Sequence, residues 1–253
     1  MLHFQKRFAG IALVSLLFGA GCSSPTPSGS SATATPPAVA PTSAVASDCA
    51  FGFFPFKQGY EITYQTSGGG LPTHTLDERV TALHDNQADI AMQSDGRPIS
   101  DQHYRCDHGH VQALSYLDPS FLRSGENVKA TTDSVTGDWL PSDMTRIGAT
   151  SDMDARGAIS LNLSGMEHPT TIPFTVHMHR TIVDQEDVTV PAGTYHATKI
   201  QVMTTLTTGA SGAAPPFENT EWWVNNVGLV KSVMQGGPSG AFQEEATRIV
   251  IPS

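Results

Sequence analysis

Two His-x-His pairs carry the spacing most suggestive of chemistry in this chain: His108 with His110, and His177 with His179. On a strand, that spacing puts both imidazoles on one face, where they can share a metal ion. His177 and His179 stand in a period-two run over 172–183, and Glu186, beyond a turn, is a candidate third ligand. The competing reading is a solvated polar face shared with Thr175 and Thr181. Around the other pair, Asp107-His108-Gly109 reads as a hairpin turn, so the rings of His108 and His110 should diverge. The sequence contains no Gly-x-Ser-x-Gly elbow, P-loop or dinucleotide-binding glycine motif. Gly68-Gly69-Gly70 and the glycines of 209–212 lack the following helix that a phosphate cradle requires. The acidic residues are dispersed and do not single out an acid and a nucleophile. Apart from the His-x-His metal reading, the chain reads as non-enzymatic and without a cofactor.

Cys22 is reactive in a different sense. Lys6 and Arg7 open residues 1–21, an apolar stretch follows from Phe8 to Phe18, and Gly19-Ala20-Gly21 are small. These are the basic region, the apolar region and the cleavage site of a secretory signal. The apolar run falls short of the ~20 residues that a membrane span needs. With a Cys just past the cut, the segment resembles a bacterial lipoprotein signal, although Gly19 stands where that family usually has Leu. An ordinary secretory signal that happens to precede a Cys is the alternative. The resemblance implies acylation of Cys22, and Ser23 in place of Asp implies delivery to the outer membrane, with the protein facing the periplasm. Several acyl chains on one residue anchor stably where a single chain is marginal.

Cleavage removes two basic residues and leaves 12 Lys+Arg against 24 Asp+Glu, a net charge near −12. Such a surface repels nucleic acid and anionic headgroups, so the membrane is a partner through the lipid anchor alone. With Cys22 acylated, Cys49 and Cys106 form an even pair in an oxidising compartment. A disulfide between them closes a loop of 57 residues, which the chain-entropy treatment values at ~4 kcal/mol. Free thiols and thiolate metal ligands are the alternatives. Ser23–Ser47 is almost all Ser, Thr, Pro and Ala, without a charge. It has too little apolar surface to offset its ordering entropy, and so reads as a disordered tether. The expected organisation is a signal peptide over 1–21, acylated Cys and tether over 22–47, and a single domain over 48–253.

That domain reads as all-β, a curved antiparallel sheet or half-open barrel of roughly ten strands. Gly and Pro recur every ten to fifteen residues, and the runs between them alternate at period two. Tyr60, Ile62 and Tyr64 share one face, as do Phe174, Val176 and Met178. Thr75-Leu76-Asp77-Glu78 matches a helix capping box, but Asp85-Asn86 followed by 87–93 favours a hairpin. Trp222 and Trp223 should face opposite ways on one strand, one in the core and the other at a groove or the surface.

Five fragments in order, from Phe54-Pro55-Phe56 through Tyr104-Arg105-Cys106, Gly137-Asp138-Trp139, Glu186–Ile200 and Glu221-Trp222-Trp223-Val224, resemble bacterial lipoproteins of unknown function. Those proteins are similar in plan to the Lol lipoprotein carriers, whose curved sheet encloses an apolar concavity. The resemblance implies a concave sheet holding an apolar ligand. Alternation puts Tyr60 and Tyr64 on its inside and either Trp222 or Trp223 at the groove. An interior filled by side chains, merely a core, is the alternative to an open groove. An envelope scaffold that binds another protein is the alternative, and a metal protein using His177 and His179 is a third reading.

Overall fold

Alternation at period two is carried through the whole domain. In the computed structural model, residues 52–54, 56–68, 71–116, 128–161, 170–209, 212–236 and 241–252 are described. All of them fall within one compact unit, Ser43–Ser253. They form thirteen strands and, among the described residues, no α-helix. The expected signal peptide over 1–21, the 22–47 tether, Cys22 and Cys49 lie outside the described residues.

Strands β1 (Glu61–Gly68), β2 (Leu71–His84), β3 (Gln87–Ser94), β4 (Arg97–Asp107) and β5 (His110–Ala113) form a meander. Three of its joints are two-residue turns, Asp85-Asn86, Asp95-Gly96 and His108-Gly109, with φ positive at both positions of each. That backbone twist matches the strands it connects and suits Asn, Asp and Gly. The hairpin reading of 75–93 therefore holds. The capping-box pattern belongs to a strand, with Leu76 and Val80 on its buried face.

A second meander contains β6 (Val128–Gly137), β7 (Thr150–Leu161), β8 (Thr170–Val190) and β9 (Gly193–Thr208). It continues through β11 (Phe217–Val224), β12 (Gly228–Gln235) and β13 (Phe242–Val250), and the short β10 (Gly212–Ala213) also pairs with β9. Pairing of β1 with β13 joins the two meanders into one antiparallel sheet with β5 and β6 as its edges. A twisted sheet this wide has to curl, and its edges meet. Trp139 N donates to Val111 O at 2.6 Å. Thr132 Oγ1 accepts from Tyr116 N at 3.0 Å and donates to Tyr116 O at 2.9 Å. The result is a nearly closed barrel, sealed at that seam by a few hydrogen bonds in place of a strand ladder.

Inward positions are apolar: Ile62 and Tyr64 on β1, Met153 and Ala155 on β7, Phe174 and Val176 on β8, Val202 and Leu206 on β9. Gly157 is among the inward positions of β7. A Cβ there would lie 2.0 Å from Thr131 O and 2.8 Å from the Phe174 ring, so only glycine fits. The outer face carries charged and polar residues such as His177, His179 and Lys199, the reverse of a transmembrane barrel.

The 21-residue β8 runs beyond its pairing with β7 and shifts phase at a bulge between Ile182 and Asp184. Past the bulge it pairs with β9 as a hairpin turning at Pro191-Ala192, as expected from the turn residues. This arm folds back on the barrel. Ala192 N donates to Ala246 O of β13 at 2.9 Å, and Val188 and Val190 are buried. The connection between β6 and β7 buries Leu140 and Met144 completely, and Thr198 Oγ1 donates to Met144 O at 3.1 Å.

Candidate functional site

The barrel interior is incompletely filled. A cavity of about 160 Å³ remains, walled by Phe54, Ile62, Leu76, Ile90, Phe217 and their neighbours. Phe54 comes from the segment before β1. Its ring lies 4.7 Å from that of Tyr104 and 6.3 Å from that of Trp223, so three distant parts of the chain supply one aromatic wall.

Tyr60 and Tyr64 also line the cavity, and both are tied across the barrel. Tyr60 OH donates to Val227 O, and Tyr64 OH donates to Leu229 O at 3.0 Å. The β12–β13 ladder spans only Lys231–Met234, so these hydroxyls supply donors to carbonyls beyond its end. Burial, and next the carboxyl of Glu78, pushes the Tyr60, Tyr64 and Tyr104 hydroxyls up, so they remain protonated donors.

The wall also holds charge. Glu78 of β2 sits between Leu76 and Val80 on the inward face, and burial pushes its carboxyl up to about 7. Glu221 of β11 is well supplied. Asn219 Nδ2 donates to its Oε1 at 3.1 Å, and Trp223 Nε1 donates to its Oε2 at 2.8 Å. Ser232 Oγ in turn holds Asn219 Oδ1 at 3.1 Å. Arg180 of β8 has no accessible surface, and its Nε lies 3.9 Å from Glu221 Oε2, too long for a hydrogen bond. Its guanidinium lies over the Trp139 ring, 4.1 Å from the centroid, and Nη2 meets only the Met178 sulfur at 4.0 Å. Arg180 Nε, Arg180 Nη1 and Trp139 Nε1 have no hydrogen-bond partner.

Of the expected groove residues, Tyr60, Tyr64 and Trp223 line this cavity, and Trp222 does not. Trp222 faces outward, where its Nε1 donates to Glu186 Oε1 at 2.7 Å. The ammonium groups of Lys199 and Lys231 stand 5.5 and 5.6 Å from its ring. Opposite faces for neighbouring strand residues account for the separation.

The metal reading is corrected in its third ligand. Glu186 is held by Trp222 and by Lys199 Nζ at 3.1 Å, which together lower its carboxyl below the usual range. His177 and His179 do share the outer face, but each pairs across to β7. His177 Nδ1 lies 3.0 Å from Asp154 Oδ1, and His179 Nδ1 lies 2.7 Å from Asp152 Oδ1. Among the described residues no group of three His, Cys, Asp or Glu side chains converges as a metal site. His108 and His110 diverge, to Asp107 and Asp138 respectively. Cys106 is 3 % exposed and disulfide-bonded.

Sequence reasoning passed over Arg180, Glu78, Glu221, Glu244 and Trp139, all of which line the cavity. Four of them carried a readable signal: a charged residue in phase with an apolar set. Arg180 follows Phe174, Val176 and Met178 at steps of two, Glu78 lies between Leu76 and Val80, and Glu244 between Phe242 and Ala246. Glu221 stands two residues before Trp223. Charges are almost never fully buried unless paired, so an in-phase charge marks an interior with a purpose. Trp139 comes from a loop and gave no periodic signal.

The model of the DUF3108-like family matches residues 73–234. No curated protein matches the chain. Among solved structures, the chain is similar to a protein from Bacteroides fragilis described as exported, with a YmcC-like fold. The two are 17 % identical, with a TM-score of 0.54 over 79 % of this chain and 99 % of the other. It is also similar to a protein from Parabacteroides distasonis described as a lipoprotein, at 14 % identity and a TM-score of 0.55, over 78 % and 98 % of the two chains. At these identities the likeness is one of fold.

Proposed function

The chain belongs to the DUF3108-like family, and we propose that it is a non-enzymatic lipoprotein of the cell envelope that holds an apolar group inside its barrel. The observation that carries this reading is the cavity of about 160 Å³ between aromatic and aliphatic walls. Well-packed domains leave few voids larger than a water molecule. A void of this order accommodates a group of about the bulk of benzene, so a long acyl chain would enter whole only if the seam between β5 and β6 opened. The description of one structural neighbour as a lipoprotein supports the envelope assignment, as does the signal-like segment before Cys22. Anchoring is through acylated Cys22 to the outer membrane, and the charged outer face stays in water. Cys49 is the partner of Cys106.

Native mass spectrometry of the chain purified from its own envelope tests the binding reading. A bound small apolar species, released on denaturation, is the expected result, and ligand-free protein under gentle extraction counts against it. Labelling with a palmitate analogue should mark the parent and not Cys22→Ser. Peptide mapping of unreduced protein should recover Cys49 linked to Cys106. The rival scaffold reading needs an exposed aromatic patch. Trp223 is buried and Trp222 is half-buried under its own hydrogen bond, so the tryptophans do not favour it.

A further inference from the structure

Arg180 is short of hydrogen-bond acceptors, and its ion-pair partner Glu221 stands 3.9 Å from Nε. The arginine is 0 % exposed, yet two of its nitrogens have no hydrogen-bond partner and the third meets only a thioether. A guanidinium taken out of water is tolerated when acceptors in the protein replace the water it loses. Here the nearest carboxylate, Glu221, is held by Trp223 and Asn219 and lies beyond hydrogen-bond distance from Arg180. The Trp139 indole N–H, from the ring stacked on the guanidinium, is orphaned as well. Two unsatisfied donor groups therefore adjoin one apolar cavity, and both residues line it.

Resting on the interior-binding reading above, we propose that the cavity's ligand carries an oxyanion, which the Arg180 guanidinium and the Trp139 N–H bind at the end of an apolar body. The guanidinium fork matches the two oxygens of a carboxylate or phosphate. Met178, whose sulfur covers Nη2, is unbranched and adaptable, and its displacement gives the anion access to the fork. Of the interior acids, Glu221 is already supplied with donors, and Glu78 holds its proton below about 7. The ligand class is thus a small anionic amphiphile with an apolar body about the size of a ring or a short chain.

Calorimetric titration of the full-length exported chain, in an uncharged amphipol, with hexanoate, hexyl phosphate, hexanol and hexylammonium tests this. Hexanoate or hexyl phosphate should bind at least ~10-fold more tightly than hexanol, the scale of charged hydrogen bonds, and the two anions tell carboxylate from phosphate. Arg180→Met should erase that preference while leaving hexanol affinity within ~3-fold of the parent. Trp139→Phe, which keeps the stacked ring and removes the donor, should reduce the preference in part, and it serves if Arg180→Met does not fold. Equal binding of hexanol and the anions, or tighter binding of hexylammonium, overturns the inference and leaves the cavity reading intact. Saturable binding of none of the four overturns both.

Discussion

Trp222 and Trp223 are neighbours on one strand, and they report two different ways of handling polarity. On the outer face polar groups come in matched pairs: Trp222 with Glu186, Lys231 with Glu245 at 2.7 Å, His177 and His179 each with an aspartate. The ion pairs among them are partly solvated and worth little alone. Inside, Trp223 shares its carboxylate with an arginine that lacks acceptors, and Glu78 holds its proton far above its ordinary value. A sheet that pairs polar groups closely outside leaves a buried arginine 3.9 Å from its carboxylate and short of acceptors inside. The difference points to the interior as the place where function is bound, because unmatched buried polarity costs stability that packing alone does not require.

Truncating the two tryptophans breaks this comparison most directly. Trp223→Ala should destabilise by about 3–5 kcal/mol, since it empties an aromatic site and strips a donor from Glu221. Urea unfolding measures it, and a loss no greater than that of Trp222→Ala would remove the contrast between the faces. The next largest effect is at Glu78. Its carboxyl keeps its proton up to about 7 in the fold and up to its ordinary 4.5 when unfolded. The native state therefore binds more protons in that window, and stability falls as pH rises from about 4.5 to 7. Glu78→Gln should unfold like the parent at low pH and be more stable at mildly alkaline pH, by up to about 3 kcal/mol. Denaturant titrations at the two pH values decide it, and a constant difference would place Glu78 in water.

Trp222→Ala should cost about 1–2 kcal/mol, through its charged hydrogen bond and its two flanking ammonium groups. High salt should narrow the gap between parent and variant. The smallest effect is expected at the imidazoles. The double substitution of His177→Gln with His179→Gln should stay within about 0.5 kcal/mol of the parent. Thermal unfolding with and without excess zinc checks the same pair, and a zinc-dependent rise in Tm abolished by the substitutions would restore a metal site there.

Much of the fold was legible. Tyr60, Ile62 and Tyr64 turn inward as their alternation says, and Asp85-Asn86 and Pro191-Ala192 are turns for the reasons their residue types give. Roughly ten strands became thirteen, because a two-residue turn such as Asp95-Gly96 leaves almost no loop to mark a boundary. On β9 the inward set is Thr198, Ile200 and Val202, with Lys199 outside against Trp222. The bulge opposite Ile182 shifts the phase along that hairpin, and such a shift is invisible in a local pattern.

The sequence by itself determined the period-two alternation, the turns and the two-faced character of each strand, because these depend on residues a few positions apart. Only the tertiary structure decided what the inward faces enclose. Arg180 and Trp139 meet across 41 residues of sequence, and Phe54 reaches Trp223 across 169. Whether such side chains fill the barrel or leave a void depends on the curl of the whole sheet. That curl is set by the β1–β13 pairing, by the seam between β5 and β6 and by the folded-back β8–β9 arm. A volume enclosed by so many distant segments is a sum over the fold, and no window of sequence contains it.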